Sequence, residues 1–290
     1  MLKIGSHMDM KAPDYLLGAI QKTIENEATA LMVYTGAPQN TVRKSVSTFH
    51  IPEAHSLMQE AGIPLENMII HAPYIINLAN TEKKETYDLA VQVLRSEIER
   101  TSQMGAKYLV LHPGSCLKAT REDGIASITK GLNEVIQKDC PVTVLLETMA
   151  GKGSEIGREF QELAKIISLV NYPEHIGICM DTCHMHDAGY DMHDFDGVLE
   201  EFEKYISLDR VKVIHVNDSK NVQGAHKDRH ANIGNGEIGF EALCKIVHHE
   251  RLQEVVKILE TPYINDLAPY KAEIAMLRQK EYHSEWLEEL

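Results

Sequence analysis

The sequence IGICMDTCH occupies residues 176–184 and joins an apolar, strand-like run to two side chains able to bind a metal ion. Asp181 follows the run directly and His184 lies three residues further on, so both can reach neighbouring positions at the end of a strand. A carboxylate and a neutral imidazole suit Zn²⁺, Mn²⁺ or Fe²⁺. The pair alone is a weak signal, because Asp and His are common in loops. Its weight depends on whether the rest of the chain repeats the pattern.

Short apolar runs alternate along the chain with longer segments whose apolar residues recur every three or four positions, the spacing of amphipathic helices. The eight runs predicted as strands are Leu2–Met8, Ala30–Thr35, Met68–Ala72, Tyr108–His112, Val142–Thr148, Ile176–Met180, Val211–Val216 and Val255–Thr261. The eight segments predicted as helices are Tyr15–Glu27, Ser47–Ala61, Lys84–Met104, Ile125–Gln137, Ile156–Val170, Phe195–Ile206, Phe240–His249 and Ala268–Gln279. Eight strand–helix units predict an α/β protein of the (β/α)8 TIM barrel class.

No linker, internal repeat or low-complexity tract interrupts the chain, so we expect residues 1–290 to form a single domain. The connections at 181–194 and 217–239 are long and are predicted as loops. Long loops at the C-terminal mouth are where such a barrel carries its chemistry.

Composition limits the class of protein. Hydrophobic residues make up 43% of the chain and charged residues 25%, and no apolar stretch reaches the length of about 18 residues that a membrane span needs. Five cysteines without paired spacing favour a reducing compartment, so we expect a cytoplasmic protein. The net charge of −14, from 29 basic and 43 acidic residues, disfavours nucleic acid as a partner. Divalent cations bound in a cleft would reverse the sign of the charge locally.

The N-terminal residues carry a separate signal. Residues 5–8, Gly-Ser-His-Met, look like a cloning scar, whereas residues 1–4 read as a native strand start. No signal peptide is visible.

Six consecutive predicted strands, the third to the eighth, end in or near side chains that can bind metal. The candidate metal ligands are His71, His112, Glu147, Asp181, His184, His215, Asp228, His230 and Glu260. Residues at the carboxyl ends of parallel strands converge on one mouth of a barrel. A single His after a strand more often makes an ordinary hydrogen bond, but that explanation would have to hold at six strand ends independently.

Nine candidate ligands exceed what one ion needs, since a catalytic zinc typically takes three protein ligands and leaves a position free. Nine would serve three ions if one carboxylate bridged two of them, and paired metals are suited to phosphodiester cleavage. Glycines at 151–153 and 234–236 could bring backbone amides to a phosphate or serve only as turns. No Walker loop or dinucleotide fingerprint is present, so no nucleotide cofactor is expected.

At these residues the sequence resembles the endonuclease IV family of apurinic/apyrimidinic (AP) endonucleases. The matching stretches span nearly the whole chain and are HAPYIINL (71–78), LHPG (111–114), LETMAG (146–151), DTCH (181–184), AGYD (188–191), HVNDSK (215–220), DRH (228–230) and LETP (259–262). The motifs are specific in combination, particularly DTCHxxxAGYD followed by HxNDSK and DRHxNIGxG.

The resemblance implies a barrel that holds three Zn²⁺ ions, with Mn²⁺ able to occupy part of the site. By the resemblance, His71, His112 and Glu147 hold one ion, Glu147 bridges to a second that Asp181, His215 and Glu260 complete, and His184, Asp228 and His230 hold the third. Glu147 is the expected catalytic residue.

The resemblance also implies the reaction and its partner. The bond hydrolysed is the phosphodiester 5′ to an abasic site in double-stranded DNA, leaving a 3′-hydroxyl and a 5′-deoxyribose phosphate during base excision repair. Removal of 3′-blocking groups is implied as well. Tyr74, Gln39 and Asn40 match the family's DNA-inserting positions. No exposed heptad seam is evident, so we expect a monomer with no membrane contact.

Two other classes of function fit parts of the pattern. A metal-dependent sugar isomerase or epimerase uses the same barrel architecture with one or two metals, and fold alone does not separate it from a nuclease. The set formed by His184, Asp228 and His230 discriminates between them, because an isomerase does not need a third metal. A non-catalytic metal-binding barrel would be expected to close its zinc with four ligands, often cysteines, and the cysteines here are not arranged for that.

Overall fold

The strands form a closed parallel barrel in the computed structural model, which describes residues 1–287. In chain order the strands are β1 (Ile4–His7), β2 (Ala30–Tyr34), β3 (Met68–His71), β4 (Tyr108–Leu111), β5 (Thr143–Glu147), β6 (Ile176–Asp181), β7 (Val211–His215), β8 (Asp218–Ser219), β9 (His230–Ala231) and β10 (Val256–Leu259). In the described chain β8 and β9 form a short antiparallel pair, and the other eight strands close the barrel in the order β1-β2-β3-β4-β5-β6-β7-β10. The predicted (β/α)8 TIM barrel is confirmed. The predicted domain, 1–290, includes residues 288–290, which lie outside the described residues.

Helices cover the outside of the barrel. They are α1 (Tyr15–Glu25), α2 (Ile51–Glu60), α3 (Lys84–Gln103), α4 (Arg121–Val135), α5 (Phe160–Leu169), α6 (Thr182–Ala188), α7 (Phe195–Glu203), α8 (Phe240–Val247) and α9 (Tyr270–Gln279). The longest of these, α3, buries Ala90, Leu94 and Ile98 at four-residue spacing, which places them on one face of the helix. The outer helices contribute an apolar face to the core around the strands, whereas the short, almost wholly buried α6 lies at the mouth.

The barrel interior is filled by a second, smaller set of apolar side chains. These are Ala30, Met32, Ile69, Val110, Leu145, Cys179, Val213, Val256 and Ile258. Alternate residues on the same strands point outward to the helices, as the two-residue period of a strand requires. Because the interior is packed with apolar groups, the polar side chains gather at the carboxyl ends of the strands.

Residues 5–8 are part of the barrel, so their interpretation as a cloning scar is wrong. The strand β1 pairs with both β2 and β10. A Cβ atom at Gly5 would lie 1.6 Å from the carbonyl oxygen of Ala30, so glycine is required where the two strands meet. His7 ends the strand at the mouth of the barrel, where its ring contacts the ring of Tyr34 edge-on at 5.1 Å.

The connection at 181–194, predicted as a loop, begins with α6. The carboxylate of Asp181 accepts a hydrogen bond from the amide of His184 at 2.8 Å, which caps the first turn of the helix. Gly189, with φ at +114°, ends it. The capping residue and the first turn are therefore two of the predicted metal ligands, held in a fixed relation.

Two other helices begin at different residues from those predicted, because their capping residues set the start. The hydroxyl of Thr120 accepts from the amide of Asp123, so α4 begins at Arg121 instead of Ile125. A reciprocal capping box between Glu159 and Glu162 starts α5 after the predicted boundary.

A buried carboxyl group joins the outer helix α9 to the mouth. Glu273 is fully buried and accepts hydrogen bonds from the hydroxyl of Thr261, the side-chain amide of Asn232 at 3.1 Å and the backbone amide of Ile233 at 3.0 Å. Burial raises the pKa of Glu273 from 4.5 to about 7, against the opposing effect of these donors.

The raised pKa of Glu273 predicts a pH-dependent loss of stability. In the unfolded chain the carboxyl ionises near its ordinary pKa, whereas in the folded protein it keeps its proton until about pH 7. Its contribution is therefore fully present at low pH and falls as pH rises from about 4.5 to about 7. Relative to wild type, Glu273→Gln should gain roughly 2–3 kcal/mol of unfolding free energy between pH 5 and pH 7.5. Urea denaturation of both proteins at saturating zinc measures the difference, and parallel pH curves would contradict it.

Candidate metal centre

Six strand ends meet at the mouth of the barrel. His71, Glu147, Asp181 and His215 are the last residues of β3, β5, β6 and β7, and His112 and Glu260 directly follow β4 and β10. The remaining predicted ligands come from α6, which carries His184, and from the β8–β9 connection and β9, which carry Asp228 and His230. An open cavity of ≈ 590 Å³ lies over this cluster. The structure therefore brings all nine predicted ligands to one place.

Glu147 occupies the centre of the cluster and is only 1% exposed. Its Oε2 atom lies 3.2 Å from Nε2 of His71 and 3.2 Å from Nε2 of His112. Its Oε1 atom lies 3.1 Å from Nδ1 of His215 and 3.3 Å from Nδ1 of His184. Oε2 therefore faces the possible ligand atoms of His71 and His112, whereas Oε1 faces that of His215, so the carboxylate is placed to serve two cations at once.

A second group of potential ligand atoms lies on the other side of Glu147. Nδ1 of His215 is 3.0 Å from Oε2 of Glu260 and 3.7 Å from Oδ2 of Asp181. The potential ligand atoms of these three residues and Glu147 all lie within 4.8 Å of one another. Three carboxylates and one imidazole in so small a volume need a cation or protons to balance their charge.

The third group includes a residue that the sequence assigned only to the second. Nε2 of His184 lies 3.0 Å from Oδ1 of Asp228, and Nε2 of His230 lies 3.5 Å from the same oxygen. Asp181 also approaches, with Oδ2 at 3.8 Å from Nε2 of His230, and its ligand atom lies within 4.8 Å of those of both histidines. Asp181 is therefore shared between the second and third groups, as Glu147 is between the first and second.

Backbone carbonyls orient three of the histidines. Nδ1 of His71 lies 2.6 Å from the carbonyl oxygen of Ala72, Nδ1 of His184 lies 2.9 Å from that of Thr148, and Nδ1 of His230 lies 3.1 Å from that of Glu260. An imidazole that donates from Nδ1 presents Nε2 as the free ligand atom, and such partners fix the ring as well as the tautomer. Nε2 of His230 is buried without a hydrogen-bond partner among the described residues, as expected of an atom that binds a cation.

Three polar residues beside the ligands hold the carboxylates in place. The side-chain amide of Asn217 donates to Oδ2 of Asp181 at 2.8 Å, and its oxygen accepts from the amide of Glu260 at 2.8 Å. The hydroxyl of Thr148 accepts from the amide of Asp181, and that of Thr182 donates to the carbonyl of Asn217. Sequence reasoning missed these roles, although each residue adjoins or nearly adjoins a predicted ligand.

Comparison with known proteins gives full-length matches. A family model described as a xylose isomerase-like TIM barrel matches residues 20–280. A protein of Bacillus licheniformis named probable endonuclease 4 is 54% identical over 296 aligned positions, which cover 100% of this chain and 99% of the relative. The crystal structure of endonuclease IV from Thermus thermophilus matches with a TM-score of 0.82 and 30% identity, covering 99% of this chain and 100% of the other.

The chain belongs to the endonuclease IV family. It is accordingly a nuclease, a hydrolase of the TIM-barrel class. A D-tagatose 3-epimerase-like protein also matches, with a TM-score of 0.69 over 98% of this chain and 97% of the other, but at 18% identity this likeness shows the fold alone. The sugar isomerase or epimerase alternative is therefore supported only at the level of architecture.

The protonation states of this endonuclease IV site are linked to metal binding. Burial by itself would raise the pKa of Glu147, but His215 and His112 hold it well below its usual range. Burial by itself would lower the pKa of His184. The neighbouring carboxylates Asp181 and Asp228 outweigh that effect and raise this pKa well above its usual value. The lowered pKa of Asp228, about 2, has the same origin, with His184 as the main partner against the effect of burial. A divalent cation that binds here must displace imidazole protons, so its affinity falls as pH falls.

The predicted DNA-contacting residues occupy two different places in this endonuclease IV chain. Tyr74 is 56% exposed and lines the mouth, with its ring centroid 5.6 Å from that of Tyr34 and 6.1 Å from that of His112. Gln39 and Asn40 lie on the loop after β2 and are not in the cavity wall. Tyr34, which follows the same strand-end rule as the ligands, was missed by sequence reasoning and packs on the ring of His71 at 4.9 Å.

The two glycine segments act as turns in the described structure. The amides of Gly234 and Gly236 donate to Oδ2 of Asp218, at 3.1 and 3.0 Å. The buried Asp218 carboxylate thus occupies the place that a phosphate would take, and the phosphate-binding alternative for 234–236 is wrong. Gly151 and Gly153 both have positive φ, as turns require, and Lys152 between them lines the mouth.

Proposed function

We propose that this protein hydrolyses the phosphodiester bond 5′ to an abasic site in double-stranded DNA through a centre of three zinc ions. The observation that carries the proposal is the set of three adjoining ligand groups, which share Glu147 and Asp181 at the floor of one open cavity. The products would be a 3′-hydroxyl and a 5′-deoxyribose phosphate, and the same centre would remove 3′-blocking groups.

The donor chemistry fits zinc. The nine candidate ligands, eight in the three compact groups and Asp228 beside His184, offer only imidazole nitrogen and carboxylate oxygen. All five cysteines are free, buried thiols outside this set. By our assignment His71, His112 and Glu147 hold the first ion, Glu147, Asp181, His215 and Glu260 the second, and His184, Asp228 and His230 the third, where Asp181 also approaches. Mn²⁺ accepts the same donors and could replace zinc in part.

The side chains of the site divide the work of the reaction. When bound, the ions supply Lewis acidity and activate water for attack on phosphorus. Glu147 fixes the spacing of the first two groups, because its two oxygens are only one carbon apart. Asn217 keeps Asp181 and the Glu260 backbone in register, so the second and third groups stay aligned. Tyr34 and Tyr74 form an aromatic wall beside His71 and His112 on one side of the cavity.

Local charge supports a DNA partner despite the net charge of −14. Residues 219–231 run from the end of β8 through β9. They carry the exposed cations Lys220, Lys227 and Arg229, and the one acidic residue among them is Asp228. Lys152 adds a cation to the wall of the cavity. Bound divalent ions would add further positive charge where phosphates approach.

An abasic nucleotide can reach the open mouth at a small cost in free energy. Such a nucleotide has no base to unpair or unstack, so turning it out of the duplex costs little. We propose that Tyr74, at the edge of the cavity, and Gln39 and Asn40, on the neighbouring loop, contact the DNA left behind. We further propose that one chain suffices and that it acts in the cytoplasm, where free thiols are stable. Among residues 1–287 no helix has the length and apolar content to cross a bilayer.

Cleavage of a labelled duplex that contains one tetrahydrofuran abasic analogue tests the proposal. The analogue cannot undergo β-elimination, so a nick requires hydrolysis. We expect zinc-loaded protein to nick immediately 5′ to the analogue and to leave an end that a polymerase extends. An intact duplex under these conditions would refute the abasic-site proposal, and sugar epimerase assays would then test the alternative.

Tyr74→Ala should weaken use of the duplex without damaging the metal centre. Loss of an aromatic contact with a base costs about 1–3 kcal/mol, so we expect KM for the tetrahydrofuran duplex to rise roughly tenfold or more. Hydrolysis of bis(p-nitrophenyl) phosphate, which needs only the metals, should be unchanged, and Tyr74→Phe should restore KM. Tyr205→Ala, at an exposed tyrosine after α7, is the matched control. Equal KM values for Tyr74→Ala and wild type would remove Tyr74 from the DNA interface.

A further inference from the structure

The loop at 36–45 presents Gln39 and Asn40 but contains no helix or strand in the described structure. Few of its backbone amides donate within the loop: that of Asn40 donates to the carbonyl of Ala37 at 3.4 Å, and that of Val42 donates to Oδ1 of Asn40 at 3.0 Å. Exposed segments with so few internal bonds open readily. Some other group must fix the position of Gln39 if the loop is to meet DNA in one conformation.

Arg43 gathers the backbone of this loop. Its Nη1 atom donates to the carbonyls of Ala37 at 3.2 Å, Asn40 at 3.0 Å and Val42 at 3.1 Å. Three acceptors around one nitrogen bend the chain into a tight turn about the guanidinium group. The Arg43 side chain is only 10% exposed, so it lies beneath the loop rather than in solvent.

The helix α3 anchors Arg43 from below. Nε of Arg43 donates to Oε1 of Glu97 at 2.6 Å, and the Glu97 side chain is 1% exposed. The other carboxylate oxygen, Oε2, accepts from the hydroxyl of Thr35 at 2.7 Å, where the chain leaves β2. One turn along the helix, Arg100 donates from Nε to Thr35 Oγ1 at 2.9 Å and from Nη2 to its carbonyl at 3.0 Å. Arg100 also lies over the ring of Phe49 at 5.3 Å. Helix α3 therefore contacts the chain just before the loop, within it and just after it.

A buried ion pair of this kind is weak evidence for a role in stability. Nη2 of Arg43 is buried without a hydrogen-bond partner among the described residues. Desolvation of a charged pair often cancels its attraction, and apolar residues of similar size frequently replace buried pairs without loss. The Arg43–Glu97 pair instead fixes the path of residues 37–42, because Arg43 donates three hydrogen bonds to backbone carbonyls of that segment.

We propose that Arg43 and Glu97 are positioning residues for DNA recognition, which hold the 36–45 loop in the shape that presents Gln39 and Asn40 to the duplex. Neither residue touches the metal centre, and both act through the loop backbone. The proposal rests on the proposed function, because it gives Gln39 and Asn40 a partner.

Two variants and one control test the proposal in full-length, zinc-loaded protein. Glu97→Gln keeps the shape of the side chain but removes the charge that holds Arg43, and Arg43→Met removes the donors to the loop. Arg95→Met is the control, because Arg95 lies on α3, is exposed, and among residues 1–287 donates from Nη2 to the carbonyl of Glu134 alone, at 2.9 Å. Amide hydrogen exchange at Asn40 and Val42, KM and kcat for the tetrahydrofuran duplex, and hydrolysis of bis(p-nitrophenyl) phosphate are measured for each protein.

We expect both variants to exchange the two loop amides roughly tenfold faster or more and to raise KM by a similar factor, the size of effect expected when charge-assisted hydrogen bonds are lost. Hydrolysis of bis(p-nitrophenyl) phosphate and the control should match wild type. Unchanged loop exchange, faster exchange with unchanged KM, or a parallel fall in phosphodiesterase activity would each overturn the proposal. If Arg43→Met does not fold, Glu97→Gln decides alone. If wild type leaves the duplex intact, the proposed function has failed, and the exchange rates still decide whether Arg43 holds the loop.

Discussion

Glu147→Gln is expected to remove nicking activity almost completely, with a rate lower by roughly 10³-fold or more, because several kcal/mol of transition-state stabilisation depend on correctly placed metals. The two carboxylate oxygens of Glu147 face His71 with His112 on one side and His215 with His184 on the other. Glutamine offers one oxygen, and its amide group would turn donors toward a cation. Either the first or the second ligand group therefore loses its Glu147 oxygen, whichever way the amide is oriented.

The measurement combines single-turnover nicking of the tetrahydrofuran duplex with metal analysis of the purified protein. Bound zinc should fall by at least one ion per chain. Glu273→Gln is the matched control, since it makes the same change at another fully buried glutamate outside the nine ligands. Near-normal nicking by Glu147→Gln with an unchanged zinc content would show that this carboxylate does not bridge two ions.

His230→Ala is expected to lose the third ion and to lower the nicking rate by roughly 10²–10⁴-fold, while the melting temperature changes little. Nε2 of His230 has no hydrogen-bond partner among the described residues, and Nδ1 contacts only the carbonyl of Glu260. Truncation therefore removes one backbone contact from the fold but a whole ligand from the third group. His184 and Asp228 would remain, together with Asp181, which the third group shares with the second.

Zinc stoichiometry, melting temperature and nicking rate of the same preparation test this expectation. His248→Ala is a suitable control, because His248 is a partly buried imidazole whose Nε2 contacts one backbone carbonyl, that of Leu277 at 2.8 Å, far from the ligands. A variant at His230 that melts earlier but nicks normally would make the third site structural. A variant that keeps all its zinc would remove His230 from the ligand set.

The barrel and the convergence of its candidate ligands could be predicted from the sequence because both depend on local patterns. Periodicity identifies strands and helices from neighbouring residues, and the carboxyl ends of parallel strands converge whatever lies between them. That reasoning placed Glu147 and His215 at the same mouth of the barrel although 68 residues separate them. The family resemblance added the grouping of the ligands into three sets. The position of Asp181 between the second and third sets was visible only in the structure.

The features that the sequence did not reveal depend on contacts between distant segments. Gly5 begins a four-residue stretch that looks like a cloning scar, but it lies against the carbonyl of Ala30 on the adjacent strand. The shape of the loop after β2 depends on Glu97, 54 residues beyond Arg43. The amides near Gly234 suit a phosphate as well as a carboxylate, and only the tertiary structure shows that Asp218 fills their place. In contrast, α6 could have been predicted, since Asp181 and Gly189 are ordinary capping residues.

The filling of that turn by Asp218 has a consequence for how the enzyme acquires its metals. The carboxylate collects the amides of Gly234, Gly236, Ile238 and Gly239, so the segment just after His230 is ordered by the chain's own negative charge. Small zinc domains fold only when metal arrives, and their affinity for metal is their folding energy. Here Asp218 supplies the negative charge that orders the amides of residues 234–239, so this segment does not depend on an incoming ion for its order. Residues 234–239 should therefore keep their hydrogen bonds when a chelator removes the metals.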